Sequence, residues 1–338
     1  MSDPRLVPGD SGLPPGVAGT VVTVGTFDGV HRGHIDVLGR LVSRAREAGL
    51  PSLLLSFEPH PLEVVNPGAA PQLLTMTEEK LEVLAETGID YFALLPFTHD
   101  LAAYGAEDFV DIILRGRFRM RELLIGYDHG FGHRRAGNVT VLKALGEARG
   151  FAVDVVDAVS LHDGQHVSST SIRRAVAGGD LDRAAEGLGR PYSVSGRVVH
   201  GHARGRELGF ATLNLSSPSP RKLLPPEGVY AVRAQTPIGE FGGMLNLGAR
   251  PTFGESDRTI EAHLFDTSGD FYGHQVRIDF VAFLRDTKRF DSAADLAVQL
   301  GKDRVNALRA LTRALTPITD ADNLKGYMGT AYSTPSVA

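Results

Sequence analysis

Two histidines near the start of the chain, His31 and His34, have the residue type and the spacing for phosphate chemistry. They end the stretch Gly25–His34, GTFDGVHRGH, which is called the histidine loop below. Near a helix start, residues three apart can face the same side, above free N–H groups and the positive end of the helix dipole. Two imidazoles there could stabilise the charge of a phosphoryl or nucleotidyl transition state. A zinc-binding pair is the alternative, but zinc needs further ligands and the HEXXH spacing is absent.

The glycines of the histidine loop allow a sharp turn and a close approach of the backbone to phosphate oxygens. They are Gly25, Gly29 and Gly33. The loop lacks the Walker pattern and the GXGXXG pattern, so it is neither a P-loop nor a dinucleotide fingerprint.

A second phosphate-binding pattern is Ser168–Arg174, SSTSIRR, at the start of a predicted helix. Hydroxyl and free N–H groups at a helix N-terminus, with arginine one turn later, can cradle a phosphate group. The residues concerned are Ser168, Ser169, Thr170 and Arg173. A plain helix cap with surface arginines is the alternative. Together with the histidine loop, the pattern favours phosphate binding.

The second half of the chain contains another Gly- and Arg-rich stretch, Gly196–Leu215. Gly201, Gly205 and Arg206 suit contact with a nucleotide phosphate. Thr212 and Asn214 offer the hard oxygen atoms that Mg²⁺ prefers. An ordinary Arg-rich β-turn is the alternative.

Glu261 lies in the predicted strand IEAHLFD, where it shares one face with His263 and Phe265. A carboxylate on the face of a barrel near a Mg²⁺–phosphate site is a candidate general base for a hydroxyl nucleophile. The alternative is an exposed strand glutamate without a chemical role.

These groups must be positioned by strands and helices, and the predicted pattern of secondary structure changes near residue 189. Before it, predicted strands (21–25, 52–57, 91–96, 122–126, 152–156) alternate with predicted helices (35–48, 77–86, 107–114, 139–149), and Thr77 is the expected N-cap of the second helix. This alternation predicts a doubly wound parallel sheet. Short helices near 169–178 and 180–188 close this half.

After residue 190 the sequence predicts short strands separated by turn residues, at 193–199, 229–234, 240–247, 260–264 and 275–283. This pattern predicts an antiparallel β-barrel or sandwich, and a terminal helix follows at 292–315. The expected domains are 20–188 and 190–315, with flexible segments at 1–19 and 316–338.

Composition narrows the function further. The chain has 338 residues, a net charge of -5 and no cysteine. Cysteine-based nucleophiles, disulfides and zinc–thiolate sites are therefore excluded. The charge gives no indication of nucleic-acid or membrane partners, and the N-terminus does not resemble a signal peptide, so we expect a cytoplasmic protein acting on small molecules.

The histidine loop and SSTSIRR together resemble the two signatures of the nucleotidyltransferase superfamily. The full string GTFDGVHRGH resembles the FMN adenylyltransferase module of the bacterial bifunctional riboflavin kinase/FAD synthetases. The resemblance implies that His31, His34 and Arg173 are catalytic. It implies ATP binding by Gly25, Thr26, Phe27, Gly29, Gly33, Ser168, Ser169 and Thr170. A further resembling stretch, Ile125–Asn138, implies flavin contacts from Asp128 and Gly132.

The second half resembles the riboflavin kinase domain, a small Greek-key barrel. The family signature Pro-Thr-Ala-Asn stands here as Ala211-Thr212-Leu213-Asn214, which keeps both polar residues. The resemblance implies Mg²⁺ at Thr212 and Asn214, ATP at Gly201, Gly205 and Arg206, and catalysis by Glu261. The stretch Phe283–Phe290 resembles a flavin-side flap, which places Arg285 against the flavin.

The resemblance implies a transferase that phosphorylates riboflavin to FMN and then joins FMN to AMP, with ATP as co-substrate, to give FAD and pyrophosphate. Three alternatives stay open: an adenylyltransferase with a degenerate kinase half, transfer to a pantetheine or nicotinamide nucleotide, and a flavin-binding sensor without turnover. The β half argues against the second alternative, and the His pair with Glu261 argues against the third.

Overall fold

The computed structural model describes residues 5–9, 12–126, 130–131, 137–157, 159–161, 163–200, 210, 212–216, 218–249, 258–267 and 269–315. They form a parallel sheet with helices on its faces, followed by a closed antiparallel barrel and a terminal helix, which confirms the predicted fold class. No helix among these residues has the length and apolar character needed to cross a membrane.

The parallel sheet has six strands. They are β1 (Arg5–Pro8), β2 (Thr20–Val24), β3 (Ser52–Glu58), β4 (Tyr91–Pro96), β5 (Met120–Gly126) and β8 (Ala152–Val156), in the spatial order β1-β4-β3-β2-β5-β8. A separate pair is formed by β6 (Gly130–Phe131) and β7 (Gly137–Asn138). The chain runs from β2 through β3 to β4 on one side and places β5 and β8 on the other. The switch point of the sheet therefore lies at the carboxyl end of β2, where the histidine loop begins.

Helices pack on both faces of this sheet. They are α1 (Arg32–Ala48), α2 (Pro61–Val65), α3 (Thr77–Ala85), α4 (His99–Ala102), α5 (Ala106–Asp108) and α6 (Val139–Arg149), with a 3₁₀ turn at Pro67–Ala69 and a π-helix at Phe109–Arg117. Leu54 of β3 is buried in the core formed with α1 and α3, and Leu53 is buried in the core formed with the π-helix and α6. Burial on both faces explains the continuous apolar runs of these strands.

The second half is a closed barrel of six antiparallel strands. They are β9 (Tyr192–Val199), β10 (Leu213–Leu215), β11 (Gly228–Thr236), β12 (Gly239–Ala249), β13 (Arg258–Leu264) and β14 (Gln275–Arg285), in the order β10-β13-β12-β11-β14-β9. Pairing of β9 with β10 closes the barrel. Ile260, Ala262 and Leu264 fill its interior. Because side chains alternate along a strand, Glu261 and His263 point to the outside.

The last helix, α9 (Ala293–Leu315), packs on the outside of the barrel. Its buried Asp303 accepts hydrogen bonds from Arg285 at the end of β14, at 3.0 Å from Nε and 2.7 Å from Nη2. This ion pair fixes the helix over the outer face that carries Glu261.

The end of the first half shares a hydrophobic core with the barrel. Helices α7 (Ser169–Ala177) and α8 (Leu181–Leu188) connect them, and Ile172 and Leu188 are buried together with Tyr192 and Phe280 of the barrel. Residues 188–190 therefore mark a change of secondary structure along the chain, while the core continues across it. The domain bounds themselves remain a prediction.

Several local features differ from the sequence prediction, and three of them have a clear reason. Arg5–Pro8, in the segment expected to be loose, pairs with β4 as an edge strand. The short strand β10 was not predicted, because its three residues carry no recognisable period. Thr77 is not the N-cap of α3: that position belongs to Met76, and the Thr77 hydroxyl donates to Glu58 at 3.2 Å instead.

A buried ion pair joins the halves. Lys222, beside the barrel, donates to Glu79 of α3 at 2.6 Å and to the Leu74 carbonyl at 2.7 Å. Both side chains are almost fully buried. The other oxygen of Glu79 accepts from the Ser195 amide of β9 at 2.8 Å.

We expect Lys222→Met to lower the free energy of unfolding by about 3–5 kcal/mol, because it leaves the Glu79 carboxylate buried without its cation. Chemical denaturation monitored by circular dichroism measures this. The matched control is Arg221→Met, since Arg221 is the next residue and also joins the halves, through Glu58 and Glu63. Its ion pairs are partly exposed, so the loss there should be about 1 kcal/mol or less. Equal losses in the two variants would contradict the prediction.

Two candidate active sites

The first candidate site is a cavity of about 600 Å³ at the carboxyl ends of the parallel strands. The histidine loop forms one wall, and the start of α7 forms the other. Of the residues predicted to bind ATP or act on it, the following line the cavity: Gly25, Thr26, Phe27, His31, Gly33, His34, Ser168, Ser169, Thr170 and Arg173. The tertiary fold thus brings together the two stretches that the sequence paired.

Gly29 is the exception among the predicted ATP-binding residues. It does not line the cavity, and its N–H donates to the Thr75 hydroxyl at 3.0 Å. Its φ is +83°, and a Cβ there would lie 2.8 Å from Leu74. Glycine is therefore needed here for a left-handed turn in a crowded position.

The two histidines form a stacked pair at the start of α1. Their ring centroids are 3.6 Å apart. His31 is the N-cap of the helix, and its Nδ1 accepts the His34 N–H at 3.4 Å. Because Nδ1 accepts a hydrogen bond, the proton of a neutral His31 lies on Nε2, which is then a donor.

Burial keeps both imidazoles neutral. Burial is the largest cause that lowers the pKa of His31. The Asp28 charge opposes it, the Arg190 and Arg173 charges add to it, and the resulting pKa is about 4. Burial, followed by the neighbouring His31, lowers the pKa of His34 well below its usual value. In the free protein at neutral pH, the pair therefore offers N–H donors and carries no positive charge.

Arg173 of α7 is held by Asp28 of the histidine loop. The Asp28 carboxylate is buried and accepts from Arg173 Nη2 at 2.9 Å, from the Leu74 N–H at 2.9 Å and from the Thr75 N–H at 3.0 Å. This fixed carboxylate directs the guanidinium into the cavity. Asp28 is absent from the residues predicted for the site, although an acid inside a phosphate-binding loop was a signal that the loop needs an internal cation.

Two polar atoms at this site lack a partner. Among the described residues, His34 Nδ1 and Arg173 Nε are buried without a hydrogen bond, and only one other side-chain atom, Ser195 Oγ, shares this condition. Buried polar atoms without partners are rare, and each one indicates strain, a catalytic role or a place for a bound water, ion or ligand. Both atoms belong to residues that line the cavity.

The serines at the start of α7 have structural partners. Ser168 is the N-cap, accepting from the Ser171 N–H at 3.1 Å, and the Ser169 hydroxyl donates to the Asp28 carbonyl at 2.9 Å. The cap predicted as an alternative is therefore present, together with the cavity. A phosphate would meet the helix N–H groups more readily than these two hydroxyls.

The resemblance of the histidine loop implies adenylyl transfer to FMN. For this step we expect Asp28→Asn to lower kcat/KM about 30-fold, because the hydrogen bond from Arg173 loses the negative charge that strengthens it, at a cost of about 2 kcal/mol. Chromatographic assay of FAD formed from FMN and ATP measures this. Asp100→Asn, an exposed acid at α4, is the control and should behave as the unmodified protein does. A normal kcat/KM in Asp28→Asn would show that Arg173 does not need this carboxylate.

The second candidate site is a cavity of about 550 Å³ on the outer face of the barrel, beneath α9. Thr212, Glu261 and Arg285 line it, as do Asn246 and Asp303. Strand register aligns Glu261 with Asn214 on one side and with Asn246 on the other. Residues directly opposite on neighbouring strands share a face, so the carboxylate lies between two amide side chains.

Two residues predicted for this site, Asn214 and Arg285, have surroundings that the sequence did not predict. Asn214 belongs to the cross-strand row, but Asn246 rather than Asn214 lines the cavity. Arg285 lines it, yet its Nε and Nη2 donate to Asp303 and its Nη1 donates to the Asp286 carbonyl at 2.8 Å. Its flavin contact therefore remains a prediction. Asn246 and Asp303 were not predicted, because only strand register and helix packing bring them to Glu261 and Arg285.

A smaller cavity of about 420 Å³ adjoins this site. Thr212 lines both cavities, and Val198, Phe271 and Tyr272 provide an apolar wall for the smaller one. Thr212 thus lies between two cavities, each large enough for a ligand.

Metal binding at the barrel would depend on oxygen atoms from hydroxyl and amide side chains. Among the described residues, no group of three or more His, Asp or Glu side chains could hold a metal ion. The oxygen atoms near Glu261 come from Thr212, Asn214 and Asn246. This set fits Mg²⁺, which takes few protein ligands when phosphate oxygens supply the others.

Five of the predicted site residues lie outside the described residues. They are Asp128, Gly132, Gly201, Gly205 and Arg206.

Both halves of the chain match known protein families. Residues 14–171 match the family model for FAD synthetase, and residues 188–311 match the family model for riboflavin kinase. The chain is 39% identical over 308 residues to the bifunctional riboflavin kinase/FMN adenylyltransferase of Pseudomonas fluorescens, covering 91% of this chain and 97% of that one. It is 38% identical over 291 residues to the protein of the same name from Escherichia coli K12, covering 86% and 92% of the two chains.

One solved structure has the same fold over most of both chains. It is named as a macrolide-efflux protein from Streptococcus pneumoniae, with a TM-score of 0.79 and 28% identity over 90% of this chain and 98% of that one. The sequence relatives and both family models agree on the two activities. The chain therefore belongs to the bifunctional riboflavin kinase/FMN adenylyltransferase family of transferases.

Proposed function

We propose that this chain phosphorylates riboflavin at the barrel and joins the resulting FMN to AMP at the histidine loop, using ATP in both steps. The observation that carries the proposal is the presence of two separate cavities, each built around one set of predicted catalytic residues. The unpartnered His34 Nδ1 and Arg173 Nε support a ligand at the first cavity.

At the histidine loop, an oxygen of the FMN phosphate attacks the α-phosphorus of ATP, and pyrophosphate leaves. The FMN phosphate is already ionised near neutral pH, so this step needs little base catalysis. His31 and His34 donate hydrogen bonds to the oxygens that gain charge. Arg173, directed by Asp28, holds the leaving pyrophosphate, together with the N–H groups at the start of α7.

At the barrel, Glu261 accepts the proton of the riboflavin 5′-hydroxyl while that oxygen attacks the γ-phosphorus of ATP, and ADP leaves. Asn214 and Asn246 lie opposite Glu261 on the two neighbouring strands. We assign the larger cavity to the flavin and the smaller one, with its apolar wall, to the adenine nucleotide. Thr212, which lines both, then lies where the phosphates meet the hydroxyl.

Thr212 and Asn214 are the residues that we propose to hold Mg²⁺ at the barrel. When bound, the ion would neutralise charge on the phosphates of ATP. Replacement of the family's Pro and Ala by Ala211 and Leu213 removes no oxygen atom from this set. Because both steps consume ATP, we also propose that the protein works in the cytoplasm.

One experiment tests the proposal against the alternatives. The protein is incubated with ATP, Mg²⁺ and either riboflavin or FMN, and the flavins are separated by chromatography. We expect riboflavin to yield FMN and then FAD. FAD from FMN alone would indicate a degenerate kinase half, and no product would indicate a flavin-binding sensor.

A further inference from the structure

The residue at the junction of the two halves contacts the histidine loop. Arg190 lies between the end of α8 and the start of β9. Its Nη2 donates to the Gly29 carbonyl at 2.6 Å, and its Nη1 donates to the Val30 carbonyl at 2.9 Å. A third, longer bond of 3.4 Å reaches the Leu188 carbonyl at the end of α8. The two shorter bonds go to the loop, so the guanidinium binds the loop more closely than it caps its own helix.

Arg190 forms no ion pair with a carboxylate in the described part of the chain, although Asp279, Glu86 and Glu79 lie near enough to favour its charged form. By contrast, most neighbouring interface cations have a carboxylate partner within ion-pair distance, among them Arg173, Arg221 and Lys222. Desolvation lowers the pKa of Arg190 to about 10, so it remains charged at neutral pH. The backbone carbonyl groups therefore replace much of the water that would otherwise hydrate this partly buried guanidinium.

The segment that Arg190 holds is strained. Val30 is buried, is β-branched and has a φ of +41°, in the left-handed region that such residues rarely adopt. Phe27, at the other end of the same turn, has a φ of +45°. Strained residues of this kind persist only where surrounding contacts hold them. Core packing holds the Val30 side chain, its N–H donates to the Phe27 carbonyl at 3.3 Å, and its carbonyl accepts from Arg190.

The next peptide leads directly to the catalytic pair. A trans peptide places its N–H opposite its carbonyl, so fixing the Val30 carbonyl also fixes the direction of the His31 N–H. His31 in turn accepts the His34 N–H and stacks on the His34 ring. The orientation of both imidazoles therefore depends on the peptide that Arg190 binds.

We infer that Arg190 is a positioning residue for adenylyl transfer, which holds the Gly29 and Val30 carbonyls so that His31 and His34 face the reacting phosphates. The inference rests on the proposed function and extends it to the junction between the halves. Arg190 does not line the second cavity, so we expect the kinase step to be independent of it.

The test is Arg190→Met, with Arg190→Lys as the conservative variant and Arg183→Met on α8 as the control. Arg183 pairs with Asp163 and Glu186 on the surface. FMN formation from riboflavin and FAD formation from FMN are measured separately, each with kcat and KM. In Arg190→Met we expect kcat for FAD formation to fall about 100-fold, as for a misplacement of about 1 Å, with KM for ATP and FMN changed less than about threefold.

The remaining expectations separate positioning from a loss of structure. FMN formation should stay within about twofold in all variants, and Arg183→Met should leave both steps unchanged. Arg190→Lys, whose ammonium can reach only one of the two carbonyls, should restore part of the lost kcat. If Arg190→Met does not fold, Arg190→Lys alone carries the test, with an expected fall of about tenfold.

Three results would overturn the inference. An unchanged kcat for FAD formation would show that the loop does not need Arg190. A rise in KM without a fall in kcat would assign Arg190 to ATP binding, and a parallel loss of both activities would assign it to the overall fold. If the unmodified protein forms FMN but no FAD, the proposed adenylyl transfer itself fails, and the inference fails with it.

Discussion

Replacement of His31 by Asn should lower FAD formation from FMN about 100- to 1,000-fold while FMN formation from riboflavin continues unchanged. Loss of one preorganised donor to a transition-state oxyanion has an effect of this size. Asn is preferred to Ala because the His31 side chain also caps α1, accepting the His34 N–H at 3.4 Å. Asn is a good N-cap residue and keeps an acceptor there, whereas Ala would add a loss of about 1 kcal/mol in helix stability.

The companion variant is His34→Ala. The side chain that caps α1 is that of His31, so this variant leaves the cap in place. Its kcat for FAD formation should fall by a similar factor, because its ring stacks on His31 at 3.6 Å and both rings line the same cavity. His99→Ala, an exposed histidine at α4, is the matched control. The double variant should be little worse than either single one if the pair acts as a unit. Loss of FMN formation in a folded His31→Asn protein would contradict the assignment of the two steps to two sites.

The second large effect is expected at Glu261. Glu261→Gln keeps the size of the side chain and its place between Asn214 and Asn246, but it removes the proton acceptor. General base catalysis contributes about 100- to 10,000-fold, so FMN formation should fall within this range. FAD formation from supplied FMN should continue at its normal rate, because the histidine loop does not depend on the carboxylate.

The control for this variant is Glu240→Gln, on the neighbouring strand β12, where the side chain is exposed. Stopped-time assays with riboflavin and with FMN, analysed by chromatography, give both rates from one preparation. A Glu261→Gln protein that retained full kinase activity would exclude Glu261 as the base. It would leave the row of Asn214, Glu261 and Asn246 with a binding role only.

Local sequence patterns were sufficient for most elements. The strand Tyr91–Pro96 and the helix Val139–Arg149 have the predicted bounds, because both have clear periodicity and are bounded by turn or cap residues. The failures come from contacts that are distant in sequence. Arg5–Pro8 becomes a strand only because β4 offers a free edge, and the Thr77 hydroxyl is drawn from the cap position by Glu58, which is distant in sequence.

The candidate sites divide in the same way. His31, His34, Arg173 and Glu261 could be named from the sequence because each stands in a short pattern with its own chemistry. Asp28, Arg190 and Asn246 could not be assigned a role. Their importance comes from contacts across 145, 161 and 15 positions of the chain, with Arg173, Gly29 and Glu261 respectively. No local pattern reports such a contact.

The sequence by itself therefore determined the two-part architecture, which follows from periodicity. It also predicted two phosphate-binding stretches and the candidate catalytic side chains, from short motifs and from the family resemblance that they carry. The tertiary structure decided how the parts support one another. It packed α7 and α8 against the barrel in a shared hydrophobic core, set Arg190 and Lys222 between the halves, and left the histidines neutral in a buried pair. Burial and long-range pairing fix these properties, because desolvation and hydrogen-bond direction depend on neighbours in space and not on neighbours in the chain.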